Sequence, residues 1–424
     1  MSPETPVPYL VQEPVAKKPI PLQERVQAIL ALGRALHSVG QPSYRIENML
    51  VEVGQRLGLP VNVFSLPTGL IVSVEDEGGP HTHILRVRVE GAHLERLSQL
   101  TTITEKLIHW EISCQEAAAE FSAVMKQRPR WGRISTIAAY VFSAAAFSVF
   151  FRGGSSELLV ANVVGLAVGS LAVLLHRVRA TSRLFELLAA AAAGLISTFA
   201  VSVVGPFEEW IPLASGLIIL LPGISLVDAV DELANGHLAA GGARMAGVGV
   251  AFLAIAFGAV VGTQTAEAIA GHPRQIESQV LHPGAIVLAL LSVAVGSTIR
   301  FRARPRHFLA ILVGSVVAFA GSRTGIAYFG PKAGPFLAAL LLGIVANAFS
   351  RIWHRPPELV SLAGIAVLVP GSVGVKGLGA LISQEAEKGV AFAFEMFLIA
   401  MALTAGFLIS NWIVPDRTPF ASDP

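Results

Sequence analysis

The chain has 424 residues, 53% of them hydrophobic and only 14% charged, with a formal net charge of +2. With a mean hydropathy of +0.63, this composition excludes an ordinary soluble globular protein and fits a polytopic α-helical membrane protein. The near-neutral balance gives no sign of a nucleic-acid partner, and the single cysteine, Cys114, excludes an internal disulfide and any cysteine-based metal site.

Residues 1–21 contain six prolines and no apolar core of signal-peptide length, and read as a disordered tail that is not cleaved. Residues 22–128 read as a small soluble α/β domain. Val26, Ile29, Leu30, Gly33 and Leu36 form one helical stripe, Gly40-Gln41-Pro42 interrupts it, and Ile46, Leu50, Val53 and Leu57 form a second. Val61–Phe64, Gly69–Val74 and Ile84–Val89 predict strands of an antiparallel sheet, with a turn at Glu77-Gly78-Gly79-Pro80. The last element is expected to be one long helix over 92–127. Its seam (Leu100, Ile103, Leu107, Trp110, Cys114, Ala117, Phe121, Val124) has heptad spacing. That seam either packs on the domain's own sheet or pairs two copies into a homo-oligomer. The domain is expected to be dispensable for the membrane fold. His81 and His83 lack a third ligand by spacing and read as surface residues.

No phosphate loop, nucleophile elbow or H-E-x-x-H pair occurs. The expectation is therefore no enzyme, no metal, no cofactor and energy drawn from an ion gradient.

Beyond residue 133 come about ten apolar stretches of bilayer-spanning length. Those beginning near Ile134, Leu158, Leu184, Ile211 and Arg244 return near Pro283, His307, Ala333, Leu359 and Phe392, at an offset of 148–149 residues. Leu188-Ala189-Ala190 before Gly194 answers to Leu337-Ala338-Ala339 before Gly343, and Gly165 to Gly314. The reading is two five-helix repeats, 134–262 and 283–414. An odd number of spans per repeat makes the second copy inverted in the membrane. With residues 1–133 on the cytoplasmic side, 15 Lys or Arg residues fall inside and six outside. The positive-inside rule then gives a multi-pass protein of the plasma (inner) membrane with both termini cytoplasmic.

Two strings interrupt apolar spans at corresponding places: Leu221-Pro222-Gly223 and Val369-Pro370-Gly371. Paired discontinuities of this kind mark the binding sites of secondary transporters, because each exposes a half-helix N-terminus and frees carbonyls. They read either as that or as plain proline kinks. After Gly223, Asp228, Asp231, Glu232 and Asn235 recur on one helix face. Asp228 lies about 9 Å past the break, at a depth where a carboxylate faces a cavity or a partner. The outer three are equally readable as a solvated helix end. The substrate-binding candidates are Pro222, Gly223, Ser225, Asp228, Pro370, Gly371 and Ser372. The coupling candidates are Asp228, Asp231, Glu395 in the tenth span, and Lys376, which holds the position equivalent to Asp228. A carboxylate and an ammonium at equivalent positions suit a zwitterion or a proton relay, although Lys376 can also snorkel outward.

Leu221–Leu226, continuing through Asp231-Glu232-Leu233 to Gly241-Gly242-Ala243-Arg244, resembles the membrane signature of the threonine/serine exporter family. Gly40–Glu47 and Pro67–Val74 resemble that family's N-terminal domain motifs, and Leu368–Ser372 its C-terminal membrane half. The resemblance covers about residues 22 to 412. It implies ten spans, a cytoplasmic N-terminal domain and proton-motive-force-linked export of small hydroxylated amino acids. The partners so implied are a small zwitterionic amino acid, protons and the lipid bilayer. A transporter of a dicarboxylate or short peptide, and a membrane-anchored sensor or enzyme using the N-terminal domain, are the alternatives.

Overall fold

The computed structural model describes residues 21–76, 79–175, 184–271, 278–368 and 386–415. The N-terminal part holds α1 (Leu22–Ser38), α2 (Ser43–Arg56), β1 (Val61–Leu66), β2 (Gly69–Asp76), β3 (Gly79–Arg86), α3 (Leu94–Ile108) and α4 (Cys114–Lys126). The strands form one antiparallel sheet in the order β1-β2-β3, with Val61 opposite Val74 and Leu70 opposite Leu85. Alternate β2 residues, Leu70, Val72 and Val74, are buried against the helices, as a half-covered sheet requires. Gly33 lets α1 approach closely: a Cβ there would lie 2.7 Å from Leu70 Cδ2 and 2.9 Å from Leu50 Cδ1.

The single helix expected over 92–127 is two. After α3 the chain turns through Trp110 at φ 60, a left-handed conformation that ends a helix. Ser113 then starts α4 with a capping box, accepting from Glu116 N while Glu116 accepts from Ser113 N. The heptad seam survives the break, but it faces inward. Leu100, Ile103, Leu107, Cys114, Ala117, Phe121 and Val124 are buried in the core, and Trp110 alone is exposed. A coiled coil through residues 100–124 has no free apolar seam to use.

The rest is helical: α5 (Arg133–Phe150), α6 (Ser155–Leu175), α7 (Phe185–Val204), α8 (Trp210–Leu217), α9 (Gly223–Ala234), α10 (Leu238–Ala270), α11 (Ala285–Arg300), α12 (Phe308–Trp353), α13 (Glu358–Leu368) and α14 (Ala386–Ile413). Six of the described helices are long and apolar enough to cross a membrane: α5, α6, α7, α10, α12 with the short turn before it, and α14. The shorter α11 and α13 are apolar as well. Inside α12, Gly330 sits at φ 77, ψ 174 just before Pro331, so this helix is two arms meeting at a kink.

Small residues set the helix contacts, as they do where lipid supplies no hydrophobic drive between helices. A Cβ on Gly258 of α10 would lie 2.2 Å from the Leu187 carbonyl oxygen of α7. Gly406 of α14 stands in the same relation to the Phe336 carbonyl of α12, at 2.6 Å. Gly194 meets Ala259 and Thr263, while Gly343 meets Phe407 and Ser410. These residues are related by offsets of 147 to 149, so the two halves repeat the same contacts between corresponding helices.

The N-terminal unit is not a free-standing appendage. Its hydrophobic core runs on into Ala294, Phe301, Ala303, Ile311, Leu359 and Ala363 at the near ends of α11, α12 and α13.

Candidate functional site

Pro222 is where the region's geometry begins. A proline has no N–H for the carbonyl one turn back, and its ring clashes with that turn. The helix stops at α8, Leu220 N and Leu221 N both turn back to Leu217 O, and α9 restarts at Gly223 with Pro222 as its N-cap. The carbonyl of Ile219, left without a helical partner, accepts from Arg300 Nη2 at 2.8 Å.

From that restart, α9 presents its acidic face. Glu232, fully buried, accepts a fork from Arg244 on α10 (Nη2 2.8 Å, Nε 3.0 Å) and the backbone N–H of Ser43 at 3.0 Å. It is therefore no solvated helix end, whereas Asn235 is exposed and binds back to Asp231. Asp228 lies 4.0 Å from Arg244 Nη1. The Tyr44 hydroxyl lies near Asp231 and accepts from Arg45 Nε at 3.4 Å. Burial, partly countered by Arg45, pushes the Tyr44 phenol far above its ordinary value, so it stays neutral.

Asp228, Asp231 and Ser225 line a cavity of about 410 Å³, within the range of small-molecule sites. Its walls come from α9 and α10, the end of α11, the second arm of α12, and α13 and α14. The loops of the N-terminal unit around Gly40-Gln41-Pro42 and Val89–Leu94 cover it. Three residues of that cover reach the membrane helices. Ser43 binds Glu232, Arg45 pairs with Glu358 at the start of α13, and Glu47 binds His237 Nε2 at 2.9 Å. Further along, Leu94 N donates to Phe301 O at 2.9 Å and Trp131 Nε1 to Ala303 O at 2.9 Å. Glu95 accepts from both Arg130 and Arg304. Burial raises the Glu95 carboxyl, but these two guanidiniums more than offset it and hold it below its ordinary value.

Of the sequence candidates, Ser225, Asp228 and Asp231 share this cavity, and Pro222 and Gly223 form the break above it. Glu395 is elsewhere. It lines a second cavity of about 310 Å³ with Phe150, Phe151, Arg152, Phe319 and Arg323. Pro370, Gly371, Ser372 and Lys376 lie outside the described residues. Sequence reasoning missed Arg45, Glu358, Arg300, Asn347, Thr404 and Asn411, which also line the first cavity. Asn347, as an in-span amide, and Arg45, inside the Gly40–Glu47 motif, carried the only signals. Among the described residues no group of three His, Cys, Asp or Glu side chains could hold a metal ion. A pocket lined by carboxylates, guanidiniums, amides and hydroxyls suits a small polar molecule bearing both charges.

Comparison with known proteins places this arrangement. The family model described as "Putative threonine/serine exporter" matches residues 27–266, and a second, "Threonine/Serine exporter, ThrE", matches 285–413. Similar curated proteins include pheromone-regulated membrane protein 10 of Pichia sorbitophila (24% identical, 82% of this chain and 36% of that protein). The protein of the same name in Eremothecium gossypii is 23% identical, over 93% of this chain and 56% of the relative. An uncharacterised protein of Schizosaccharomyces pombe is 25% identical, over 84% and 48%. The chain thus spans between about a third and a little over half of the length of these relatives. No solved structure matches. With models of one family covering both the N-terminal unit with the first membrane half and the second membrane half, the chain belongs to the threonine/serine exporter family.

Proposed function

We propose that the protein is a secondary exporter of small zwitterionic amino acids of the threonine and serine class, driven by the proton motive force. The observation that carries this reading is the cavity beneath the Pro222 break, with Asp228 and Asp231 on its wall. An amino acid crossing a membrane needs both its charges offset in a site closed to bulk water. Asp228 takes the ammonium, and its protonation as water access changes couples a proton to substrate movement. Half-helix N–H groups at the start of α9 favour an anion.

Ten crossings in two inverted repeats complete the proposal. The glycine contacts repeated at the duplication offset support the repeat, and the arginine distribution supports cytoplasmic termini in the plasma membrane. Pro370, Gly371 and Ser372 are proposed as further substrate-binding residues and Lys376 as a coupling residue, and Glu395 in its separate cavity serves the outer stretch of the path. The N-terminal unit covers the cytoplasmic mouth.

The test is reconstitution of the full chain in liposomes with an imposed proton gradient. Threonine or serine moves against its own gradient with the wild type. Asp228→Asn, at equal abundance and unchanged melting temperature, loses gradient-driven transport. Full transport by that variant would reduce the carboxylate to a packing role.

A further inference from the structure

We infer that Arg300 is the carboxylate receptor of the cavity beneath the Pro222 break. The inference rests on the export reading and supplies the half of the zwitterion that Asp228 does not take.

The arginines lining the cavity differ in what they already hold. Arg45 is paired with Glu358, and Arg244 is engaged by the Glu232 fork. Arg302 lies in the field of Glu90. Arg300, the last residue of α11, has no carboxylate partner among the described residues. Its one hydrogen bond there goes from Nη2 to the Ile219 carbonyl. Its guanidinium lies 5.4 Å from the centroid of the Phe301 ring, which holds it in place. A guanidinium offers five donors in a planar fork, so one bond leaves a bidentate face unspent.

A cation at the end of an apolar helix, lining a cavity with no anion of its own, is unfavourable unless something compensates it. Asp228 poses the mirror problem: at 4.0 Å it is only loosely held by an Arg244 whose fork is already committed. One unspent cation and one loosely held anion lining the same cavity fit one molecule carrying a carboxylate and an ammonium. Both groups are also tied to the break, Arg300 through the Ile219 carbonyl before Pro222 and Asp228 through α9 after it. A bound amino acid would therefore bridge the two sides of the discontinuity.

The competing role for Arg300 is a cap on the Ile219 carbonyl and nothing else. Competition binding separates the two, using purified full-length protein in lipid nanodiscs with L-threonine and L-threoninamide. The amide keeps the ammonium and hydroxyl and lacks the carboxylate. Wild type should bind threonine much more tightly than threoninamide. Arg300→Gln should weaken threonine by about 10- to 100-fold, as loss of a charge-assisted hydrogen bond does, and leave threoninamide unchanged, so the ratio collapses toward one. Arg300→Lys keeps the charge and the carbonyl cap but loses the fork. It should lower the ratio several-fold, and it carries the test if Arg300→Gln does not fold. Equal weakening of both ligands, or an unchanged ratio, overturns the inference alone. Wild-type protein that binds neither L-threonine nor L-threoninamide removes the export reading, and this inference with it.

Discussion

The backbone N–H of Ser43 donates to Glu232 Oε1 at 3.0 Å across 189 residues of sequence, and that carboxylate is completely buried. The same carboxylate receives the Arg244 fork, so one side chain fastens α9, α10 and the N-terminal unit together.

Replacing it is accordingly expensive. Glu232→Ala leaves a partly buried guanidinium and a buried backbone N–H without their acceptor, and breaking such a pair costs up to about 3 kcal/mol. The expected result is a lower melting temperature in detergent and faster proteolysis in the Gly40–Pro42 loop. Melting and cleavage rates equal to wild type would show that water replaces the lost contacts without penalty.

Thr404 on α14 is 1% exposed, lines the cavity and has an Oγ1 without a hydrogen-bond partner among the described residues. Other helical hydroxyls, such as Thr104, Thr298 and Ser315, bond back to the carbonyl four residues earlier. An unsatisfied hydroxyl facing the cavity suits the side-chain hydroxyl of a substrate. Thr404→Val should reduce the preference for threonine over its isostere valine by about tenfold, measured as the ratio of counterflow rates. An unchanged ratio would place the substrate hydroxyl elsewhere.

Acid should loosen the cover before it unfolds the bundle. His93, 5% exposed, caps α3 by accepting from Arg96 N. Burial, with Arg96 and Arg302 nearby and Glu95 and a backbone hydrogen bond only partly opposing them, holds its pKa down to about 4 from 6.5. An unfolded chain takes that proton at 6.5 and the folded one only near 4. The stabilisation is therefore complete above pH 6.5 and is lost as the pH falls toward 4. Glu95, held low by Arg130 and Arg304, acts in the same direction below about pH 4.5. Amide protection in α3, taken relative to the intrinsic exchange rate at each pH, should fall between pH 6.5 and 5, and His93→Gln should flatten that part of the profile. A slope unaffected by the substitution would assign it to other groups.

Two glycines at equivalent places should respond alike. Gly258→Ala and Gly406→Ala each push a methyl group against a carbonyl oxygen, and overpacking of this kind costs about 1–3 kcal/mol. Gly247→Ala, with nothing within 4 Å of an added Cβ, should be neutral or slightly stabilising. Melting curves of the three variants check this. A tolerated Gly406→Ala beside a damaging Gly258→Ala would mean that the two halves do not rely on the same packing.

What the sequence revealed followed the range of the interactions involved. The break at Pro222 and the shared face of Asp228, Asp231 and Glu232 depend on a dozen consecutive residues, so helical periodicity exposes them. The paired partners of the site were not legible that way. Arg45 meets Glu358 across 313 residues, and only tertiary packing brings α2 to α13. The end of α3 was readable, since Ser113-x-x-Glu116 is a helix start, but the uninterrupted seam concealed it. Thr404 stood out only once its missing back-bond was visible. The burial of Glu232 was hidden because nothing in its local pattern announces a domain folded over it.

Ser43 and Arg45 are separated by one residue, yet one grips α9 and the other α13. These helices fall in the stretches that the two different family models match. A backbone N–H and a guanidinium so close on one short helix have little slack, so they act as a rigid staple between α9 and α13. Any sliding of α9 past α13 at that end must first release one prong. The strength of two contacts outside the bundle thus sets a threshold force for motion within it.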